Sequence, residues 1–192
     1  MLVSVALVRQ FLRDECGTVM AETVIVLPTL LWSYLALFVY WDSFRAMNTV
    51  QKATFTVSDV ISREMKTVPA TYFDGLRNVM DFMLDRDQDV KMRVTSITYE
   101  EDRLQFEVLW SYSPGPTASK LPELTTATLQ TLKDRIPKMA DADFATIVET
   151  EVPYVPAFNV GLNTTTLKQF IITRPRFVAP NCMTGRNCTP LP

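Results

Sequence analysis

One carboxylate, that of Glu22, occupies a place in the sequence where an acidic side chain is costly. It lies five residues after Gly17, and no further charged side chain follows until Asp42. The 19 residues from Thr23 to Trp41 would rise about 28 Å as a helix, close to the ~30 Å hydrocarbon core of a bilayer. The sequence therefore predicts a membrane helix with an acid at its start. Inserting such a carboxylate costs roughly 2–4 kcal/mol, which favours a paired, functional residue.

The chemistry open to Glu22 is charge pairing. Cleavage of the chain after Gly17 would leave Thr18 with a free α-amine, a cation complementary to the carboxylate. The alternative is that Glu22 begins the helix, where a negative charge suits the positive end of the helix dipole. The residues alone leave both interpretations open.

Two thiols near the end of the chain, Cys182 and Cys188, enclose a short loop. Gly185 within it permits a tight turn, so the spacing favours a disulfide. Disulfides persist in oxidising compartments, which would place this segment outside the cytoplasm. A zinc site would need further soft ligands, and none lie nearby. Cys16 is left unpaired, and cleavage after Gly17 would remove it.

Two other acidic patterns are weaker candidates. Glu149 and Glu151 share one face of a predicted strand, and paired carboxylates can carry out acid–base chemistry, although such residues are usually solvated surface. The segment Asp85–Asp89 alternates aspartates as calcium loops do. However, Val90 and Ser96 stand where that loop requires glycine and glutamate. A solvated turn is the favoured interpretation.

Composition removes most enzyme classes. The chain has 192 residues, 19 basic and 21 acidic side chains, a net charge of −2 and no histidine. Imidazole-based triads and histidine metal sites are therefore excluded, and no basic field for nucleic acid exists. The sequence contains no glycine-rich phosphate loop and no nucleophile elbow. We expect no enzyme activity, no cofactor and no nucleic-acid partner.

The elements that must position these groups divide the chain into four predicted parts. Residues 1–17 form a cytoplasmic leader, 18–41 the transmembrane helix, 42–66 a helical extension and 67–192 a folded head domain. Pro28 lies inside the predicted span and can kink it, because proline removes one backbone hydrogen bond.

The predicted extension carries an apolar stripe at three- to four-residue steps, which usually faces a core. Its members are Phe44, Met47, Val50, Val57, Val60 or Ile61, and Met65.

Alternating and helical patterns predict an α+β head, with a small antiparallel sheet packed on helices. The loop from Ser113 to Lys120 is predicted as an exposed tip. The remaining predicted elements are a helix over 74–85, a hairpin over 91–113, a helix from Pro122 to Ile136, a strand over 144–152 closed by Pro153, and a last strand over 170–177.

The pattern Phe11-Leu12-Arg13-Asp14-Glu15-x-Gly17, continuing through Ala21-Glu22 to Leu27-Pro28, resembles the TadE-like proteins of tight-adherence (Flp) pilus systems. Gly17 with Glu22 resembles the processing site of type IV prepilins. Arg174-Pro175-Arg176 followed by a cysteine is also similar to that family. The firm part of the resemblance covers about residues 9 to 45.

The resemblance implies a minor pseudopilin in the bacterial inner membrane, with its N-terminus cytoplasmic and its C-terminal domain periplasmic. A prepilin peptidase would cut between Gly17 and Thr18, and other pilins and inner-membrane assembly proteins would be partners. The freed amine of one subunit would then meet Glu22 of another. An unprocessed, membrane-anchored scaffold of the same machinery is the alternative. The sequence does not separate TadE, TadF and TadG types.

Overall fold

A computed structural model of the protein describes residues 16–84, 89–177 and 181–188. The helices are α1 (Cys16–Ser62), α2 (Ala70–Met83) and α3 (Thr126–Leu129), with 3₁₀ turns at Thr117–Ser119 and Gln130–Arg135. The strands are β1 (Lys91–Glu100), β2 (Gln105–Tyr112), β3 (Phe144–Tyr154) and β4 (Thr165–Thr173). A long N-terminal apolar helix followed by an antiparallel sheet with helices agrees with the predicted α+β class.

Two compact units make up the structure. The first combines the chain up to Ser43 with the loop Pro156–Asn163, and the second combines Phe44–Val155 with the chain from Thr164 onward. α1 contributes residues to both units.

Among the described residues, α1 is the one helix that is long and apolar enough to span a membrane. Its segment Val19–Ser62 includes an 18-residue window of mean hydropathy 1.9, and only 6% of that window is buried. Such exposure suits a lipid-facing helix rather than the core helix of a soluble domain. The helix supports a single-pass membrane anchor.

The four strands form one antiparallel sheet in the order β2-β1-β3-β4. The predicted hairpin is confirmed, with β1 pairing β2 from Val94↔Tyr112 to Glu100↔Gln105 and a bulge between Ser96 and Ile97. β3 lies between β1 and β4, so the central pairing of the sheet joins β1 and β3, which are distant in sequence.

One face of the sheet packs on the helices. The α1 hydroxyls of Thr54 and Ser58 bond those of Thr150 on β3 and Thr173 on β4, at 2.8 and 2.9 Å. Phe73 of α2 packs on the rings of Trp110 and Tyr112 of β2, with centroids 5.5 and 5.8 Å apart. α1 therefore covers the β3–β4 side and α2 covers β2.

The predicted apolar stripe of α1 was wrong in part. Val50, Val57 and, of the pair Val60 or Ile61, Ile61 are buried as expected, whereas Phe44, Met47 and Met65 are exposed. Ala53, Thr54, Ser58 and Ser62 complete the buried face instead. Small side chains let the helix lie close to the sheet, and hydrophobicity alone does not identify them. The helix also ends at Ser62, before the predicted 65–66.

The opposite sheet face carries a second apolar cluster. Ile97, Phe106 and Ile147 of the sheet contact Leu124, Leu129 and Ile136 from the segment that contains α3. That segment was predicted as one helix from Pro122, but α3 begins at Thr126 and gives way to a 3₁₀ turn at Gln130. Thr125 sets the start, because its hydroxyl accepts from the Thr128 backbone N–H in a capping box.

Three further boundaries differ from prediction. Pro153 does not close β3, which runs on to Tyr154. Proline lacks a backbone N–H, but β1 begins at Lys91, opposite Glu151, so no β1 residue lies opposite Pro153 to need that donor. The last strand is Thr165–Thr173 rather than 170–177. Beyond it, the Arg176 backbone N–H donates to the Ser62 carbonyl at 2.8 Å, which turns the chain onto the end of α1.

The loop from Ser113 to Lys120 is anchored, contrary to the predicted exposed tip. Ser113 is buried and its hydroxyl donates to the Met92 carbonyl at 2.7 Å, while Ser119 bonds Asp89. Only residues 116–118 and Lys120 are exposed.

Candidate functional sites

The predicted cleavage and pairing residues all lie on α1. Gly17 and Thr18 occupy its first described turn, and Glu22 follows Thr18 by four residues, or about 6 Å along the axis. Glu22 is exposed, and none of the described residues forms an ion pair with it. Four residues is one helical turn, so a positive charge at the position of Thr18 would lie near the same helix face as the carboxylate.

Gly17 does not pack closely on any of the residues that the structure describes. A Cβ built on Gly17 meets no atom within 4 Å, and its backbone is not left-handed. Glycine lowers helix stability by about 1 kcal/mol relative to alanine. Contacts with the described residues therefore do not account for this glycine.

Pro28 lies inside α1, which the structure assigns as one helix through that position. Hydroxyls nearby bond carbonyls one turn back: Thr23 to Val19 at 2.7 Å, Thr29 to Ile25 at 3.1 Å, and Ser33 to Thr29 at 2.8 Å. Such internal bonds satisfy polar hydroxyls on a helix in lipid. The predicted kink stays a prediction.

Aromatic rings gather where the predicted span ends. Phe38 contacts Trp41 and also Phe158 of the loop Pro156–Asn163, each with ring centroids 6.4 Å apart. Val39 beside them is 1% exposed, unlike its neighbours Phe38 and Tyr40. Tyr40 and Trp41 are typical of an interfacial aromatic belt, but nothing in the local sequence signals that a distant loop contributes Phe158 to this cluster.

The C-terminal segment holds the two predicted disulfide partners next to the end of α1. Val68 and Met183 form a parallel bridge, in which the Val68 N–H donates to the Cys182 carbonyl at 3.0 Å. Asn181, which the sequence analysis missed, is 5% exposed; its amide donates to the Ile61 carbonyl at 3.1 Å and to Thr146 at 3.3 Å. No residue pattern marks an asparagine as buried, so only the fold identifies it.

Cys182 and Cys188 are free thiols in this structure. Burial, followed by a hydrogen bond and charge interaction with Cys188, raises the pKa of Cys182 to about 12. The two thiols therefore lie close enough to interact. The disulfide stays a prediction.

The Arg174-Pro175-Arg176 motif anchors the chain after β4. Arg174 pairs with Asp143 at 2.6 Å, and Arg176 pairs with Asp59 of α1 at 2.5 Å. Asp59 also pairs with Arg63 at 2.9 Å. The motif thus links the start of β3 and the end of α1 through exposed ion pairs.

The acids Glu149 and Glu151 do share a face, but each is bound by its own cation. Arg93 of β1 pairs with Glu149 at 2.5 Å, and Lys168 of β4 pairs with Glu151 at 2.6 Å. This arrangement suits a charge network better than a pair of free catalytic carboxylates.

The same residues line a cavity of about 300 Å³ on the sheet face opposite α1. Arg135 lies at its side with the guanidinium 4.1 Å from the centroid of the Phe170 ring. The lining includes three basic side chains, Arg93, Arg135 and Lys168, against two acidic ones. The side chains that line the cavity therefore carry a net positive charge.

The calcium-like segment lies mainly outside the described residues, which exclude 85–88. Asp89 contacts Arg77 at 4.0 Å and bonds Ser119. No group of three or more potential metal ligands occurs in the part of the chain that the structure describes.

No protein-family model, no curated protein and no solved structure matches this chain. The resemblance noted above therefore enters only as the basis of a proposal.

Proposed function

We propose that the protein is a minor pseudopilin-like component in the assembly of a tight-adherence (Flp) type IV pilus. The observation that carries the proposal is the isolated, exposed Glu22 five residues after Gly17, and one turn after Thr18, on an apolar helix long enough to span a membrane. Glu22 does not begin the helix, because α1 already includes Cys16, six residues earlier, so an anchor alone does not explain a carboxylate at this costly position. Nor does an anchor alone explain a glycine that weakens the helix without serving its packing.

Cleavage between Gly17 and Thr18 by a prepilin peptidase would create the missing cation. A carboxylate and an ammonium 4 Å apart attract each other by about 4 kcal/mol at an effective dielectric constant of 20. That attraction is comparable with the roughly 2–4 kcal/mol cost of keeping the acid in the membrane. Pairing between the amine of one subunit and Glu22 of the next would thus fix the register of packed helices.

The topology in this proposal is a bacterial inner-membrane anchor with a cytoplasmic N-terminus and a periplasmic C-terminal domain. The adjacent thiols of Cys182 and Cys188 support it, because an oxidising compartment would convert them to a disulfide. Other pilins and assembly proteins would contact the exposed surfaces. We infer no enzymatic role.

Mass spectrometry of the protein purified from cells with and without an active prepilin peptidase tests processing. We expect a Thr18 N-terminus only when the peptidase is active. Gly17→Leu introduces a good helix former where a side chain meets no described atom, so the variant protein should insert normally yet remain uncleaved. Full-length protein in both strains would overturn processing.

Charge pairing is tested separately with Glu22→Ala, which should insert and be cleaved but fail to join the assembly. Glu101→Ala removes an exposed acid from the β1–β2 turn and serves as the control. Normal pilus assembly by the Glu22→Ala protein would contradict the pairing mechanism.

The alternative is an unprocessed, membrane-anchored scaffold of the same machinery. It is favoured by one observation: the Gly17–Thr18 peptide bond lies within α1, and a helical bond must be unwound before a peptidase can act. The mass measurement above separates the two functions directly.

A further inference from the structure

The two edge strands of the sheet, β2 and β4, differ in whether their outward backbone groups are hydrogen-bonded. On β2, the outward Val108 N–H donates to the Thr126 hydroxyl at 3.1 Å, and the Phe106 carbonyl accepts from the Gln130 amide at 2.6 Å. These side chains occupy the groups that another strand would need. On β4, which forms the other edge, no described residue outside β3 bonds the strand backbone.

The register identifies the free groups of β4. The Tyr99 N–H bonds the Asp143 carbonyl, so odd-numbered residues of β1 face β3. Backbone groups alternate between the two sides of an antiparallel strand. Odd-numbered residues of β1 lie opposite odd-numbered residues of β3, so the even-numbered residues of β3 bond β4. Those residues pair with odd-numbered residues of β4, so the backbone groups of the even-numbered residues of β4 point away from the sheet. These include Thr166, Lys168 and Phe170.

The open edge adjoins the basic cavity. Lys168, Gln169 and Phe170 form one wall of it, and Arg135 lies over the Phe170 ring. Arg93 is held by Glu149 and by the Pro122 carbonyl, and Lys168 is held by Glu151. Arg135 is exposed and has no carboxylate partner among the described residues, so its planar donors are left without an ion pair.

We propose that β4 accepts an extended, acidic polypeptide segment as a fifth strand. The segment would bond the outward backbone groups of β4 and place a carboxylate against Arg135 at the cavity. A second copy of this chain is a poorer occupant, because its own β4 would bring another Lys168 and Arg135 to the shared edge. The proposal does not depend on the pilus function.

The test uses the full chain in detergent micelles and a fluorescein-labelled synthetic peptide as long as β4, nine residues, that alternates valine with glutamate. Fluorescence anisotropy should show saturable binding. A matched peptide with lysine in place of glutamate should bind at least about tenfold more weakly, because like charges would meet.

Two variants separate the backbone and charge contributions. Thr166→Pro removes an outward N–H without touching the β3–β4 ladder, and it should abolish binding of both peptides. Arg135→Gln should remove the preference for glutamate over lysine, whereas Lys133→Gln on the same 3₁₀ turn, outside the cavity, should preserve it. Circular dichroism checks that each variant is folded. If Thr166→Pro does not fold, the peptide preference of Arg135→Gln alone tests the proposal.

Equal affinity for the two peptides, or unchanged preference in Arg135→Gln, would overturn the proposal. So would a concentration-dependent dimer of the chain that Thr166→Pro abolishes, because the edge would then take a second copy. Absence of saturable binding to the glutamate peptide would also overturn it.

Discussion

Arg93 and Glu149 form an ion pair on adjacent strands in which both side chains are nearly buried, at 11% and 14% exposure. The Arg93 Nε donates to the same carboxylate oxygen at 2.8 Å. The neighbouring pair on the same sheet face, Lys168 and Glu151, is much more open, at 68% and 28%. Two carboxylates two residues apart on β3 therefore experience different environments.

This contrast predicts different costs for the same substitution. Glu149→Gln should lower the free energy of unfolding by about 3 kcal/mol, because it leaves the Arg93 charge desolvated without its partner. Glu151→Gln should cost less than about 1 kcal/mol, because water screens the exposed pair. Guanidinium unfolding of the full chain in micelles, followed by tryptophan fluorescence, measures both. Similar losses in the two variants would contradict the assigned burial.

The hydroxyls of Thr54 and Thr150 predict an asymmetric pair of substitutions. Both residues are 0% exposed, and the Thr54 hydroxyl donates to the Val50 carbonyl at 2.8 Å, so the Thr150 hydroxyl must donate to Thr54. Thr54→Val should then leave a buried donor unpaired and cost about 1–3 kcal/mol.

Thr150→Val should cost less than Thr54→Val, since Thr54 keeps its bond to Val50. The double variant should be less destabilised than the sum of the two single variants. Unfolding free energies of the three proteins provide the measurement. An equal loss in both single variants would reverse the donor assignment.

Asn181 provides a test of how the C-terminal segment holds the end of α1. Asn181→Asp replaces an amide donor by a carboxylate opposite two acceptors, the Ile61 carbonyl and the Thr146 hydroxyl. We expect it to destabilise the protein more than Asn181→Ala does, and by more than about 2 kcal/mol.

Lowering the pH should partly restore the Asn181→Asp protein, because a protonated carboxyl can donate again. Thermal unfolding across the acidic range measures the recovery. A variant as stable as the parent would show that the amide bonds contribute little.

The raised pKa of Cys182 predicts a stability loss in alkaline solution. The folded thiol holds its proton up to about pH 12, whereas an unfolded thiol releases it near the ordinary value of 9.0. The folded state therefore binds more protons between these values, and stability must fall as the pH rises through this window. The reduced protein should show the loss, and Cys182→Ala should remove it most clearly between about pH 9 and pH 10, below the ordinary pKa of 10.0 of Tyr72 and Tyr112, whose pKa values burial also raises.

Oxidation provides the complementary test of the predicted disulfide. Protein exported to an oxidising compartment should lack two hydrogens by intact mass and yield a linked Cys182–Cys188 peptide. Closing this short loop should add about 2 kcal/mol of stability. Recovery of both thiols in alkylated form from the exported protein would refute the disulfide.

The sequence by itself determined the features that depend on local pattern. An uninterrupted apolar helix, a hairpin around Glu100–Arg103 and a small antiparallel sheet all follow from residue periodicity and turn residues within a few positions of one another. The proposed cleavage after Gly17 and the proposed pairing of the Thr18 amine with Glu22 also rest on local spacing.

Only the tertiary structure decided which groups meet across the chain. The burial of Thr54 instead of Met47, the role of Asn181 and the separate partners of Glu149 and Glu151 depend on contacts between distant segments. Pro153 continues a strand because β1 begins at Lys91, opposite Glu151, and offers no ladder partner at Pro153. Packing and pairing are non-local, so a residue's own type and its near neighbours do not specify them.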